Sequence, residues 1–152
     1  MSAEDKMKAL NLVLPAAVPP SATYVRFKAV GDLIFLSGQG PRQPDGTMPV
    51  GVVGKDFTVE QAYEFARTTG LGLLSAMKDA CGSLDAVEVV KVLGMVNAIP
   101  GFTDHPQVIN GCSDLFVAVL GDNGRHARSA VGMGSLPGNM PVEIEAIIRK
   151  LP

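Results

Sequence analysis

Apolar and polar positions along the chain set out a succession of short elements. Residues 3–10 carry the spacing of a short helix, and Leu14 to Ser21, rich in Pro and Ala, reads as an extended arm. Tyr24 to Val30 alternates loosely, as a strand does. Gly31-Asp32 is a tight-turn signal, and Leu33-Ile34-Phe35-Leu36 is a strongly apolar second strand that stops at Ser37-Gly38-Gln39-Gly40. A loop punctuated by Pro41, Pro44, Gly46 and Pro49 runs to Gly54. Thr58, with Gln61 three residues on, is a capping-box start. Ala62, Phe65, Ala66, Thr69, Leu73, Ala76, Met77 and Ala80 then recur at helical spacing, and Gly82 is a stop. Val87 to Val96 is a Val-rich run with the look of a largely buried strand. Asp104 can cap a second long helix, with Pro106 in its first turn; Val108, Cys112, Leu115, Phe116 and Val119 form its apolar face, and Gly121 ends it. Two last strands, Arg128 to Met133 and Val142 to Ile148, flank Pro137-Gly138-Asn139. The order ββαβαββ predicts an α+β fold, one mixed sheet with both helices on one face.

A chain of 152 residues fits one core, so 1–152 is expected to be a single domain, with 1–21 as an N-terminal helix and arm. Hydrophobic residues at 47% against 18% charged supply enough apolar surface for that core. The net charge of -2 and pI near 5.6 lack the basic footprint of a nucleic-acid binder. No apolar run is long enough to span a bilayer, and the N-terminus has no basic segment ahead of an apolar one, so no membrane partner and no signal peptide are expected. The expectation is a soluble cytoplasmic protein. Cys81 and Cys112 sit singly in helical patterns and read as buried reduced thiols. His105 and His126 are the only histidines; neither joins a Cys, Asp or Glu cluster, so no metal is expected, and His126 reads as a solvent-exposed loop residue.

The last two strands have the least ordinary pattern. Along 128–134, Ser129, Val131 and Met133 share one face, and Arg128, Ala130, Gly132 and Gly134 the other. One arginine followed by tiny side chains is a poor filling for a helix-packing core; such a face suits close approach by another backbone or by a ligand. On the final strand Val142, Ile144 and Ala146 point one way, Glu143 and Glu145 the other. Taken singly, these features are ordinary. Paired acids on a strand face are most often solvated, and a lone arginine is most often a surface charge. Tyr24 is more often a packing aromatic, and Asn110 a helix-surface residue or early-turn cap.

Taken together they resemble a known family. Arg128-Ser129-Ala130-Val131, Leu136-Pro137 and Val142-Glu143-Ile144-Glu145-Ala146-Ile147 are similar to the signature of the RidA/YjgF family of enamine/imine deaminases, once called endoribonuclease L-PSP. Tyr24, seven residues before Gly31, and Leu36-Ser37-Gly38-Gln39 agree in order and spacing. The likeness covers roughly residues 22–150. The long N-terminal arm, Gly101-Phe102-Thr103-Asp104 and Asn110-Gly111-Cys112-Ser113-Asp114-Leu115 resemble the YjgF/chorismate-mutase-like endoribonuclease branch. The resemblance implies a chorismate-mutase-like fold assembled as a homotrimer, with the sheets forming a central barrel and ligand sites in the three clefts between subunits. It implies that Arg128 clamps a substrate carboxylate in bidentate fashion, a task that suits guanidinium better than ammonium. It further implies that Glu143 positions or activates water and that Tyr24 closes the cleft from the neighbouring subunit. Ser37, Gly38 and Asn110 match lining positions, and the backbone N–H groups of Gly38 and Ala130 can donate to the carboxylate. Many members have Cys where this chain has Ala130. The implied reaction, of the 2-iminobutanoate/2-iminopropanoate deaminase type, hydrolyses reactive 2-imino or enamino acids to 2-keto acids and ammonia without a cofactor.

Three rivals remain. The same pocket could bind a small carboxylate metabolite without turning it over. A chorismate mutase would need a further cation near the breaking ether oxygen, for which Arg26 and Arg42 are the candidates. A ribonuclease is disfavoured by the low pI and the absence of a basic stripe or paired histidines.

Overall fold

Apolar side chains from two long helices and one face of a sheet meet in a single cluster, and local signals explain where each helix begins. The computed structural model describes residues 1–152. A short helix α1, Ala3–Ala9, starts with a Ser2/Asp5 capping box and buries Ala3 and Met7. Helix α2, Val59–Cys81, starts at Thr58, whose side chain accepts from Gln61 N–H while the Gln61 side chain accepts from Thr58 N–H. It ends at Gly82, which takes the left-handed conformation that glycine adopts without steric cost. Helix α3, His105–Leu120, follows Asp104 and has proline in its first turn. The Asp104 side chain makes no cap hydrogen bond, so position and proline, rather than a carboxylate cap, mark this start.

The strands are β1, Phe27–Val30; β2, Leu33–Gln39; β3, Val87–Asn97; β4, Ala127–Met133; and β5, Val142–Lys150. Their order in the sheet is β1-β2-β5-β3-β4, with β3 and β4 parallel and every other pair antiparallel. A parallel pair needs a crossover, and α3 supplies it, which sets α3 over β3 and β4. The mixed sheet with its long helices on one face is the architecture expected from the sequence. Two strand limits differ. The chain becomes a strand only at Phe27, so Tyr24 lies in the preceding segment. Strand β2 continues past Leu36 to Gln39, with a register shift between Leu36 and Gln39 where it pairs with β5.

The helix-covered face holds Ile34, Leu36, Val89, Val92, Val96, Val142, Ile144, Ala146 and Ile148, all buried. Full burial of such a side chain contributes about 1.5–3 kcal/mol, so this face and the helices dominate the stability of the fold. The opposite face differs. Val30, Leu33, Phe35 and Val131 are exposed there, and one satellite cluster of Met95, Leu136 and Met140, flanked by Met48, Leu93 and Met133, is closed over by loops. Asn97, at the end of β3, is buried, and its amide donates to Asn139 Oδ1 (2.9 Å) and Met140 O (3.2 Å). It thereby ties the loop before β5 to the sheet.

Candidate functional site

Register sorts the residues singled out from the sequence into two groups. In β4 the side chains of Arg128, Ala130 and Gly132 lie on the helix-covered face, opposite Val92, Gly94 and Val96 of β3. That face is covered only in part: α3 lies over the Arg128 end and His105 stands over Gly132, while Gly132 and Gly134 remain exposed. A Cβ added to Gly132 would lie 2.6 Å from His105 Nε2, and Ala130 packs against the main core. The small side chains are there to admit the first turn of α3. An alternating strand pattern distinguishes two faces without saying which is covered, and the parallel crossover decides that.

Arg128 is half-buried under α3 and held at one end. Its Nη1 donates to Asn110 Oδ1 (2.8 Å) and to Ser113 Oγ (3.1 Å). Those two bonds use both Nη1 hydrogens. The edge formed by Nε and Nη2, the one that pairs with a carboxylate through two parallel hydrogen bonds, makes no bond within the chain. Ser113 is held in turn. His126 Nδ1 donates to the Gly124 carbonyl (2.6 Å), which can only accept; Nε2 of the neutral ring therefore accepts from the Ser113 hydroxyl (2.9 Å). Burial, and then the nearby Arg128 charge, lower the His126 pKa against the opposing Gly124 bond, which keeps the ring neutral. The expected solvent exposure of His126 is thus replaced by a half-buried ring with both nitrogens engaged. Ser113, Val117, Arg125, His126 and Arg128 line a small open cleft of about 230 Å³. Ser113, Arg125 and His126 were not singled out as site residues from the sequence. The signal was present as three cationic or titratable side chains in the four residues 125–128, one turn-length from α3.

The second group gathers where β2 meets β5. Glu143 pairs with Met95, which in turn lies opposite Val131, so its side chain is on the open face, across the sheet from Arg128. A Cβ on Gly38 would stand 3.2 Å from Glu143 Cδ, so glycine there lets the carboxylate lie against the β2 backbone. Burial, and then the neighbouring Glu145 charge, raise the Glu143 pKa, and no hydrogen bond or ion pair within the chain offsets this. The Ser37 hydroxyl donates to the Val25 carbonyl (2.6 Å), and Ser37 N–H donates to Arg26 O (2.9 Å). Those bonds bring the segment carrying Tyr24 alongside Ser37; the Tyr24 side chain is exposed.

One chain therefore brings Arg128, Asn110 and Ala130 together, and separately Tyr24, Ser37, Gly38 and Glu143. It does not bring Arg128 and Glu143 together, because the sheet stands between them. The other cations considered are engaged elsewhere. Arg26 forms an ion pair with Asp79 (2.5 Å), and Arg42 donates to the Gly46 carbonyl (2.9 Å). Both cysteines are buried, and burial raises their thiol pKa values, so neither is a reactive thiolate. No three His, Cys, Asp or Glu side chains are grouped so as to hold a metal ion, and no helix is long and apolar enough to cross a membrane.

Comparison with known proteins gives a consistent picture. The family described as "YjgF/chorismate_mutase-like, putative endoribonuclease" matches residues 4–144. Protein TCP17 of Trypanosoma cruzi is 40% identical over 144 residues, which is 93% of this chain and 90% of that protein. The crystal structure of a putative endoribonuclease from Shewanella oneidensis superposes with a TM-score of 0.93 at 27% identity, over 98% of this chain and 99% of the other. RidA from an Antarctic Psychrobacter is a looser match, with a TM-score of 0.61 at 27% identity over 90% and 93% of the two chains.

Proposed function

Because this chain belongs to the YjgF/chorismate-mutase-like family, we propose that it is a RidA-like deaminase, hydrolysing reactive 2-imino or enamino acids to 2-keto acids and ammonia in clefts between copies of itself. The observation that carries this reading is the state of Arg128. A guanidinium tethered by Nη1 to Asn110 and Ser113, with its bidentate edge free, is prepared for a carboxylate.

In this reading the iminium form of the substrate is anchored through its carboxylate on Arg128 of one copy. Water attacks the C=N carbon, and Glu143 of a second copy takes the proton released. The resulting carbinolamine receives that proton on nitrogen, the C–N bond breaks, and as the carbonyl of the 2-keto acid forms the hydroxyl proton passes to Glu143 and on to the departing ammonia, which leaves as ammonium. A carboxylate whose pKa is raised by burial is a better base for this exchange than a solvated one. Tyr24, exposed beside Ser37, would close the cleft.

The exposed apolar side chains Val30, Leu33 and Phe35 at one edge of the open face, with Val131 at the other, support assembly, because a second copy seated on this face would bury them and could bring Glu143 to Arg128 of a neighbour. A homotrimer closes such head-to-tail contacts. A chorismate mutase remains disfavoured, since Arg26 and Arg42 are committed elsewhere.

The experiment is a coupled assay in which 2-iminopropanoate is generated in situ and its loss followed, with particle mass measured by light scattering. Accelerated hydrolysis by a trimer is expected. Binding of 2-oxobutanoate without acceleration would instead make the protein a carboxylate-binding protein, and a stable monomer would exclude the shared site.

A further inference from the structure

The cleft beside Arg128 is lined by a second arginine that the deamination step does not use. Ser113, Val117, Arg125, His126 and Arg128 line it. We infer that Arg125 is a second anion-holding arm, and that the cleft takes dicarboxylic substrates: 2-imino acids with a distal carboxylate. This rests on the reading of Arg128 as the clamp for the first carboxylate.

Charge is the first reason. His126 is neutral and its two nitrogens are occupied, and Ser113 gives its proton to His126, so the charges in the cleft are those of Arg125 and Arg128. Asp114, next to Ser113, does not line the cleft; it accepts from the Tyr63 hydroxyl on α2 (2.8 Å). The only carboxylate that meets Arg125 is Asp122, at 3.4 Å, with side chains 72% and 99% exposed. A pair so exposed contributes almost nothing, so a ligand carboxylate can take Asp122's place without a cost to the fold. Two arginines thus line one cleft in a chain whose net charge is -2.

Lining chemistry is the second reason. Val117 is the only apolar side chain in the cleft, so an aliphatic substituent would find little surface to bury against. A distal carboxylate would find Arg125. Size is the third: about 230 Å³ is below the roughly 300–1,000 Å³ of pockets for drug-sized ligands and suits a short metabolite.

Calorimetric titration of 2-oxoglutarate and of 2-oxobutanoate, the stable keto counterparts, into the intact protein and into Arg125→Gln at low ionic strength tests this. The parent protein should bind 2-oxoglutarate about two- to fivefold more tightly than 2-oxobutanoate, the range of an exposed ion pair of up to about 1 kcal/mol, and Arg125→Gln should bring the ratio close to one. Because Arg125 is exposed, the variant should fold, and its thermal transition and particle mass should match the parent's. Equal affinities in the parent, or a preference that survives in Arg125→Gln, would overturn the dicarboxylate inference and leave the Arg128 clamp standing. If the assembled parent binds neither acid, the clamp and the inference fall together.

Discussion

Arg128 and Glu143 sit on opposite faces of one sheet, in environments that could hardly differ more. Around Arg128 one end of the guanidinium is already held: Asn110 and Ser113 accept from Nη1, His126 holds Ser113, and Gly124 holds His126. Around Glu143 nothing is in place. Its pKa is raised by burial with no compensating partner, and exposed apolar side chains share its face. One half of the candidate site is built within the chain, and the other has no partner within it. A part-buried network of hydrogen bonds holds its members in place, whereas a half-buried unpaired carboxylate on a face that also carries exposed Phe35 and Val131 has nothing in the chain to fix it.

The contrast can be broken most sharply by mixing variants. Glu143→Gln keeps size and hydrogen bonding but loses the base, so turnover should fall by about 10²–10⁴-fold while carboxylate binding persists. Arg128→Ala should abolish turnover by the opposite route. If the two halves come from different copies, subunit exchange between the inactive variants should restore activity in about a quarter of the clefts, those that draw both native residues. Rates that stay at background after verified exchange would mean that the halves do not meet between copies.

Arg128→Lys sharpens the comparison on the finished side. Lysine gives a point charge where arginine offers two parallel N–H bonds, so the affinity for 2-oxobutanoate should fall about 10–100-fold with the assembly intact. Loss of the assembly would make Arg128 chiefly a structural residue. Ser113→Ala removes one of the two Nη1 acceptors and frees His126 Nε2. A loss of one hydrogen bond's worth, about 0.5–1.5 kcal/mol, should weaken calorimetric affinity roughly two- to tenfold.

The smallest effect is on the unfinished side. The folded pKa of Glu143 is raised above the ordinary value of 4.5, so the native state holds its proton more tightly than the unfolded chain does. Its contribution to stability is therefore fully present below that value and is lost as pH rises through the raised one. Glu143→Gln should flatten this part of the profile of melting temperature against pH. A steeper slope in the variant would show that Glu143 is favourably paired.

Much of the fold was legible because local chemistry repeats itself. Thr58 and Gln61 cap α2, Gly82 ends it, and the periods of 3.6 and 2 mark helices and strands wherever one face is buried. Tyr24 was harder to place, because a few loosely alternating residues look alike whether or not they pair, and the ladder starts only at Phe27.

By itself, the chain's order of residues determined the ββαβαββ succession, the helix limits and the presence of one arginine and two acids on terminal strands of unusual pattern. Only the tertiary structure decided what those residues face. Periodicity divides a strand into two faces but carries no information about which one a helix will cover. The parallel pairing of β3 and β4 puts α3 over Arg128, Ala130 and Gly132, and the same choice leaves Glu143 on the uncovered side. Likewise, no spacing rule brings Ser113 on a helix to His126 after a turn; the crossover that returns the chain to β4 does so, and it is this contact that aims Arg128.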